Sequence, residues 1–250
     1  KSPLTFQHIQ SSAQLPDGPP MSPGVPFNAE VHNAGEIFAS MLFEGYASML
    51  ESSQAPSPPY SFDEARRRMT DYVVAGMKLA PTEPTYTEQR DALIAAAFAA
   101  DPADALLIAQ GFAKRGAGSC AISPPRDSFD NEGVVESFEV APAVSIVAVT
   151  VADGAVSCDD DGVVDAGEAG QVIVTLANRG FLEAPPTTLT VAADDAGLVF
   201  PGGATVEVPV LEGFGSVDVP FEVAWSVPLS ATQVMVTATA ENAASCAPSV

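Results

Sequence analysis

"EVHNAGEIFASMLFEGYASML", residues 30–50, is the stretch on which the reading of the first half of this chain turns. Ala34, Ile37, Phe38, Met41, Leu42, Gly45 and Met49 recur at steps of three and four residues. That spacing predicts a long helix with one buried stripe. The same stretch holds His32, one of only two histidines in the sequence; the other is His8. A histidine opening an apolar helix can be a metal ligand, a catalytic group or a packed ring. Taken alone, His32 reads as a satisfied, partly buried histidine at a helix start. Glu36 reads as a carboxylate of the first helical turn, favoured there by the helix dipole. His8, in a Pro- and Ser-rich stretch, reads as a plain surface histidine.

Helical grammar continues outward from this stretch. Ser61 and Glu64 form a capping-box pattern ahead of "FDEARRRMTDYVVAGMKLAP", and Thr85 and Glu88 repeat it ahead of the next helix. In "DPADALLIAQGFAKRGAG", Asp101 stands as cap, Pro102 at the first helical position and Gly116 just beyond Lys114 and Arg115. Four helices of about 12 to 18 residues are expected on this basis. Residues 1–29 read as loop, and 123–144 as a linker feeding a strand. From Val144 the period changes to two: "VSIVAVTV", "QVIVTLAN", "TTLTVAA", "TVEVPVL", "GSVDVPFEVAW" and "QVMVTATAE" are separated by Gly, Pro and Asp turns. Such spacing predicts an antiparallel immunoglobulin-like β-sandwich. The chain is thus expected to be multidomain, α then β, with helical residues 1–137 followed by a sandwich over 138–250.

Charge limits the partners. Ten Lys and Arg face 32 Asp and Glu, a net charge of −22. A surface of that sign repels phosphate backbones and anionic lipid, which argues against nucleic-acid and membrane-surface partners. No apolar run reaches the ~18–20 residues that a membrane span needs.

The helical motifs, taken in order, resemble a known family. "VHNAGEIFASMLFE" is similar to the H-x-x-G-E-x-W helix of fungalysin-type secreted metallopeptidases, relatives of thermolysin. "RRRMTDYVVAGMKLAPTEPTYTEQRDALIAAAFAADP" and "AQGFAKRGAG" follow with the family's helix, Pro-rich turn, Arg-Asp helix and Ala-Phe-x-x-Arg-Gly ending. The resemblance covers about residues 1–137. It implies the helical C-terminal lobe of a thermolysin-like peptidase, one wall of the active-site cleft.

The resemblance also implies a role for His32: an imidazole facing zinc without binding it, donating a hydrogen bond to the oxyanion formed during peptide hydrolysis by zinc-activated water. A helix N-terminus favours negative charge nearby, so the position suits that work. In the thermolysin branch an Asp five residues earlier orients this histidine; here Phe27 stands there, leaving Glu30, Asn28 or another segment to do so. Phe38 replaces the family's usual Trp. A zinc peptidase of this kind needs H-E-x-x-H, two histidines on one helical face with a glutamate base. His8 and His32 are 24 residues apart and no such motif exists. The implied zinc ligands therefore lie in an upstream N-terminal segment carrying the zinc helix, which becomes the expected partner alongside a protein or peptide substrate.

The second half carries its own motif. "SCDDDGVVDAGE", residues 157–168, fits a twelve-residue calcium loop, with Asp159, Asp161, the Val163 carbonyl, Asp165 and Glu168 as ligands around Gly162. Ser157 replaces the usual first Asp. The alternative is a polar interstrand loop whose glutamate is structural. Cys158 and Cys246 flank the predicted sandwich and are expected to form a disulfide, leaving Cys120 over. Disulfide, acidity and resemblance together imply a secreted, extracellular protein. The function implied is the C-terminal part of a secreted metalloendopeptidase. The alternative is a non-catalytic binding or structural module: a degenerate peptidase lobe carrying a calcium-stabilised sandwich.

Overall fold

The computed structural model describes residues 3–16, 28–156, 163–164, 168–225, 234–241, 243–244 and 246, with residues 153–156 described as backbone only. The chain divides into two compact units, Lys1–Ala141 and Pro142–Cys246.

The first unit is built from helices. A 3-10 turn, Phe6–Ile9, precedes α1 (Val31–Ser52), α2 (Phe62–Leu79), α3 (Tyr86–Ala100) and α4 (Pro102–Lys114). At 22 residues α1 is longer than expected, because no Pro interrupts it before Ser53. Thr85 and Glu88 close a full capping box on α3: the Glu88 N–H donates to Thr85 Oγ1 and the Thr85 N–H to Glu88 Oε2. On α2 only half of the expected box forms. Ser61 Oγ accepts the Glu64 N–H, while the Glu64 carboxylate turns to Arg67 and Arg68. Two guanidiniums outbid a backbone N–H for an ionised acceptor and hold Glu64 down at about 2. Asp101 caps α4 ahead of Pro102, and Gly116 follows the helix at φ +82°.

The helices meet through small residues. A Cβ on Gly111 of α4 would run into the Gly45 backbone of α1, and one on Gly76 of α2 would press on the Leu93 backbone of α3. These approaches let Ile37, Met41, Met49, Ile94, Ile108 and Phe112 become fully buried together with Phe6 and Ile9. Each such side chain contributes roughly 1.5–3 kcal/mol of transfer free energy. Phe38, in the expected Trp position, sits between the Tyr86 and Phe112 rings at centroid distances of 6.0 and 6.1 Å.

Two expectations are corrected in this unit. The stretch 123–144, expected as a linker, is held to the unit over residues 133–139. Its backbone pairs back through Gly118 N–H to Ser137 O and through Ile122 with Val135, while Gln10 Oε1 accepts from Gly133 and Val134. His8 is buried, not on the surface, because its Nδ1 accepts the Thr5 N–H within the 3-10 turn at 2.9 Å.

The second unit holds two antiparallel sheets. Its strands are β1 (Val144–Val156), β2 (Ala169–Asn178), β3 (Thr187–Ala193), β4 (Leu198–Val199), β5 (Thr205–Val208), β6 (Ser216–Trp225) and β7 (Val236–Glu241). One sheet has the order β1-β2-β6-β4 and the other β5-β3-β7. Alternate residues point inward: Val172, Val174 and Leu176 of β2, Val219, Phe221 and Val223 of β6, and Leu189 and Val191 of β3 share one core. The two-residue β4 is too short to show an alternation and was not expected from the sequence. Asn178 is buried at the end of β2. Its Oδ1 accepts from Ala143 and Gly180, and its Nδ2 donates to Leu182, Leu211 and Glu212 carbonyls.

The cysteine expectation changes as well. Cys120 and Cys246 are both disulfide-bonded, so Cys120 is not left over; Cys158 lies outside the described residues. Sequence position alone placed Cys158 and Cys246 together at the ends of the sandwich, and disulfides follow Cα proximity instead.

Candidate active-site edge at the start of α1

Glu30 is the N-cap of α1, with extended backbone at φ −60° and ψ 139°. Its carboxylate does three things. Oε2 accepts the His32 N–H at 2.9 Å and the Asn33 N–H at 3.3 Å, satisfying two of the unpaired donors at the helix start. Oε1 lies 2.7 Å from His32 Nδ1. Because the carboxylate can only accept, Nδ1 carries the proton and donates it. The hydrogen bond from the His32 side chain is the main reason that the Glu30 carboxyl is held below the ordinary glutamate value.

This pairing decides what His32 is. Its side chain is 80% exposed, so the partly buried, satisfied ring expected from the residue alone is not what the chain builds. Glu30 fixes the ring through one nitrogen and leaves Nε2 turned outward beside the positive end of α1. Asn28, the other candidate orienter, is occupied elsewhere: its Nδ2 donates to Gln10 O and Ala13 O, tying the chain before α1 to the N-terminal segment. Phe27 lies outside the described residues. Glu36 is exposed in the second turn rather than the first, and Glu30 does the capping expected of it. Glu30 is the site residue that motif reading did not settle. The available signal was a carboxylate two residues before His32 at a position where N-caps are normally Ser, Thr, Asp or Asn.

Further along, α1 is tied to the rest of the unit through Glu44. Arg115, after α4, pairs with Glu44 of α1 at 2.6 Å and donates to the Leu4 carbonyl, while the Phe6 N–H donates to Arg115 O. A second node centres on buried Asp104, which accepts from Tyr60 and Tyr72 hydroxyls at 2.8 Å each and from Arg68 at 3.0 Å.

Zinc has no seat among these side chains. Among the described residues no group of three or more His, Cys, Asp or Glu is placed to hold a metal, and His8 is engaged by Thr5. Of the proposed calcium ligands, Asp159, Asp161 and Asp165 lie outside the described residues. Val163 is exposed, Glu168 is buried, and between them Val164 O accepts the Trp225 indole N–H at 2.7 Å. Among the described residues no helix is long and apolar enough to cross a membrane.

The family comparison falls on the helical unit. Residues 3–121 match the sequence profile of the Fungalysin metallopeptidase (M36) family. "Extracellular metalloproteinase mep" of Aspergillus terreus is 29% identical over 151 residues, covering 58% of this chain and 20% of that protein. "Extracellular metalloproteinase MEP" of Leptosphaeria maculans is 33% identical over 135 residues, 49% of this chain and 21% of the relative. "Extracellular metalloproteinase 3" of Arthroderma otae is 34% identical over 125 residues, 46% of this chain and 19% of the relative. The chain therefore spans about a fifth of the length of these curated relatives. The profile match, together with these relatives, identifies residues 3–121 as a segment belonging to the fungalysin metallopeptidase family.

Proposed function

We propose that this chain is the C-terminal part of a secreted zinc-dependent metalloendopeptidase, with residues 1–137 its helical lobe and 138–250 an immunoglobulin-like sandwich. The observation that carries the reading is the Glu30–His32 pair: a fixed, exposed imidazole at a helix N-terminus. The zinc ligands belong to an upstream N-terminal segment: the sequence has no H-E-x-x-H motif, and among the described residues no group of side chains fits the metal. That segment supplies the metal's activation of water. Here His32 does the rest: Nε2–H donates to the oxygen of the scissile peptide carbonyl as negative charge builds on it. Glu30 holds Nδ1–H, so the ring that also donates through Nε2–H is the doubly protonated imidazolium, oriented by that carboxylate. A preorganised donor of this kind is worth about 10²–10³ in rate.

The test is His32→Ala in the full-length polypeptide. A drop in kcat of about 10²–10³ with zinc content intact supports the reading. Unchanged turnover removes His32 from catalysis. Secretion is supported by the extracellular relatives and by disulfide-bonded Cys120 and Cys246.

For the second unit, the order β1-β2-β6 facing β3-β7 supports the immunoglobulin-like assignment. The loop 157–168 we assign to calcium on the spacing of Asp159, Asp161, Val163, Asp165 and Glu168. Isothermal titration of the whole chain reads it: no heat of binding at millimolar calcium means that Glu168 is a structural carboxylate.

A further inference from the structure

Everything that orients His32 in this chain passes through Glu30. The ring is 80% exposed, and among the described residues its one hydrogen bond is the 2.7 Å contact between Nδ1 and Glu30 Oε1. Glutamate is an unusual cap. Ser, Thr, Asp and Asn reach the first N–H groups of a helix directly, whereas glutamate must fold a longer stem back. The place of its carboxylate therefore depends closely on the direction in which the backbone enters α1. Asn28 stands two residues before Glu30, at most ~7 Å of chain. It is buried, and its Nδ2 commits both hydrogens to backbone carbonyls, those of Gln10 at 3.1 Å and Ala13 at 2.8 Å. Those acceptors belong to a segment fixed from two sides. Gln10 Oε1 accepts the Gly133 and Val134 N–H groups at 2.9 Å each, and the Ser12 N–H and Oγ–H both donate to the Glu132 carboxylate at 2.7 Å. On the other side the Phe6 N–H donates to Arg115 O.

We infer that Asn28 is a positioning residue for His32: its amide clamps the turn before α1 to the 10–13 segment and so sets the reach of Glu30 to the imidazole. The inference rests on the reading under Proposed function that His32 donates to the oxyanion, and it extends that site by one residue. Two features separate a positioning role from ordinary loop anchoring. First, Asn28 and Ala29 are both buried, so the chain between clamp and cap has little room to absorb a displacement. Second, the ion pair that ties α1 to Arg115 is too far away to take over. Glu44 lies twelve residues beyond His32, about 18 Å along the helix axis. Loss of the clamp therefore shifts Glu30, and with it the exposed ring that nothing else in this chain holds. A catalytic donor displaced by ~1 Å costs on the order of 10² in rate.

Asn28→Ala removes both donors and tests it by two readouts. In this chain, the carbon-13 titration midpoint of the Glu30 carboxyl should rise toward 4.5, because the carboxylate is no longer held against Nδ1–H. In the full-length polypeptide, kcat should fall at least about tenfold with KM little changed. Asn28→Ser keeps one short donor and should fall between the parent and Asn28→Ala, so the series stays readable if the alanine variant does not fold. Asp104→Asn, which weakens the same helical unit away from the start of α1, should leave the Glu30 midpoint where it is. A midpoint that does not move in the Asn28 variants overturns the proposal, as does one that moves as far in Asp104→Asn, which marks general loosening. Unchanged turnover in Asn28→Ala overturns it as well where His32→Ala loses turnover. Unchanged turnover in both variants sinks instead the catalytic reading on which the proposal rests.

Discussion

Glu30 joins helix capping to histidine orientation through one carboxylate, so its removal has two separable effects. In Glu30→Gln the amide keeps one acceptor oxygen and loses the charge that holds Nδ1–H. The full-length polypeptide should lose kcat by about tenfold or more with KM little changed, as for other carboxylates that orient imidazoles. A parallel loss in KM would point to substrate binding instead. The acid side is testable too. The Glu30 carboxyl is held below 4.5 by the His32 hydrogen bond, so the cap and pair are present above that value and are lost as pH falls through the lower folded-state value. Carbon-13 titration of Glu30 should show a midpoint below 4.5; a midpoint at or above it breaks the pairing. The place of His32 at the start of a long helix was readable from its motif. Its orienter was not, because Glu30 and Asn28 are equally near in sequence and only the backbone entry into α1 aims one at the ring and the other at Gln10 and Ala13.

Among elements, the contact of α1 with α4 depends on the absence of a side chain at Gly111. Gly111→Ala should destabilise the helical unit by about 1–3 kcal/mol or more through overpacking, despite alanine's better helix propensity. An unchanged urea midpoint would show that the helices can separate at no cost. The Asp104 node ties α2 and the preceding Tyr60 to α4. Asp104→Asn leaves Arg68 without its buried partner and should cost about 2–4 kcal/mol in the same assay. Burial first, and then the hydrogen bond to Asp104, push the Tyr72 hydroxyl up to about 12. Its folded value is raised, so this stabilisation is complete below pH 10 and is lost as pH rises through about 12. A denaturation series from pH 9 to 12 should show stability falling only above 10, and falling less in Tyr72→Phe. The helices and all strands but β4 were legible, because each repeats its period several times. The half-box on α2 was not, since it depends on where Arg67 and Arg68 reach.

For the whole molecule, Cys120 and Cys246 should resist alkylation until reduced, and reduction should lower the thermal midpoint. Alkylation of Cys120 without reductant would contradict the bonding described. What the sequence determined by itself was the local order. Repeated periods, caps and turns specify helices and strands through contacts between near neighbours, and motif order was enough to identify the family. What only the tertiary structure decided was which distant groups meet: His8 buried against Thr5, residues 133–139 held to the helical unit, Cys120 bonded, and His32 exposed with Glu30 at its back. Those outcomes depend on where backbone trajectories bring side chains into hydrogen-bonding or bonding range, and no local period encodes that.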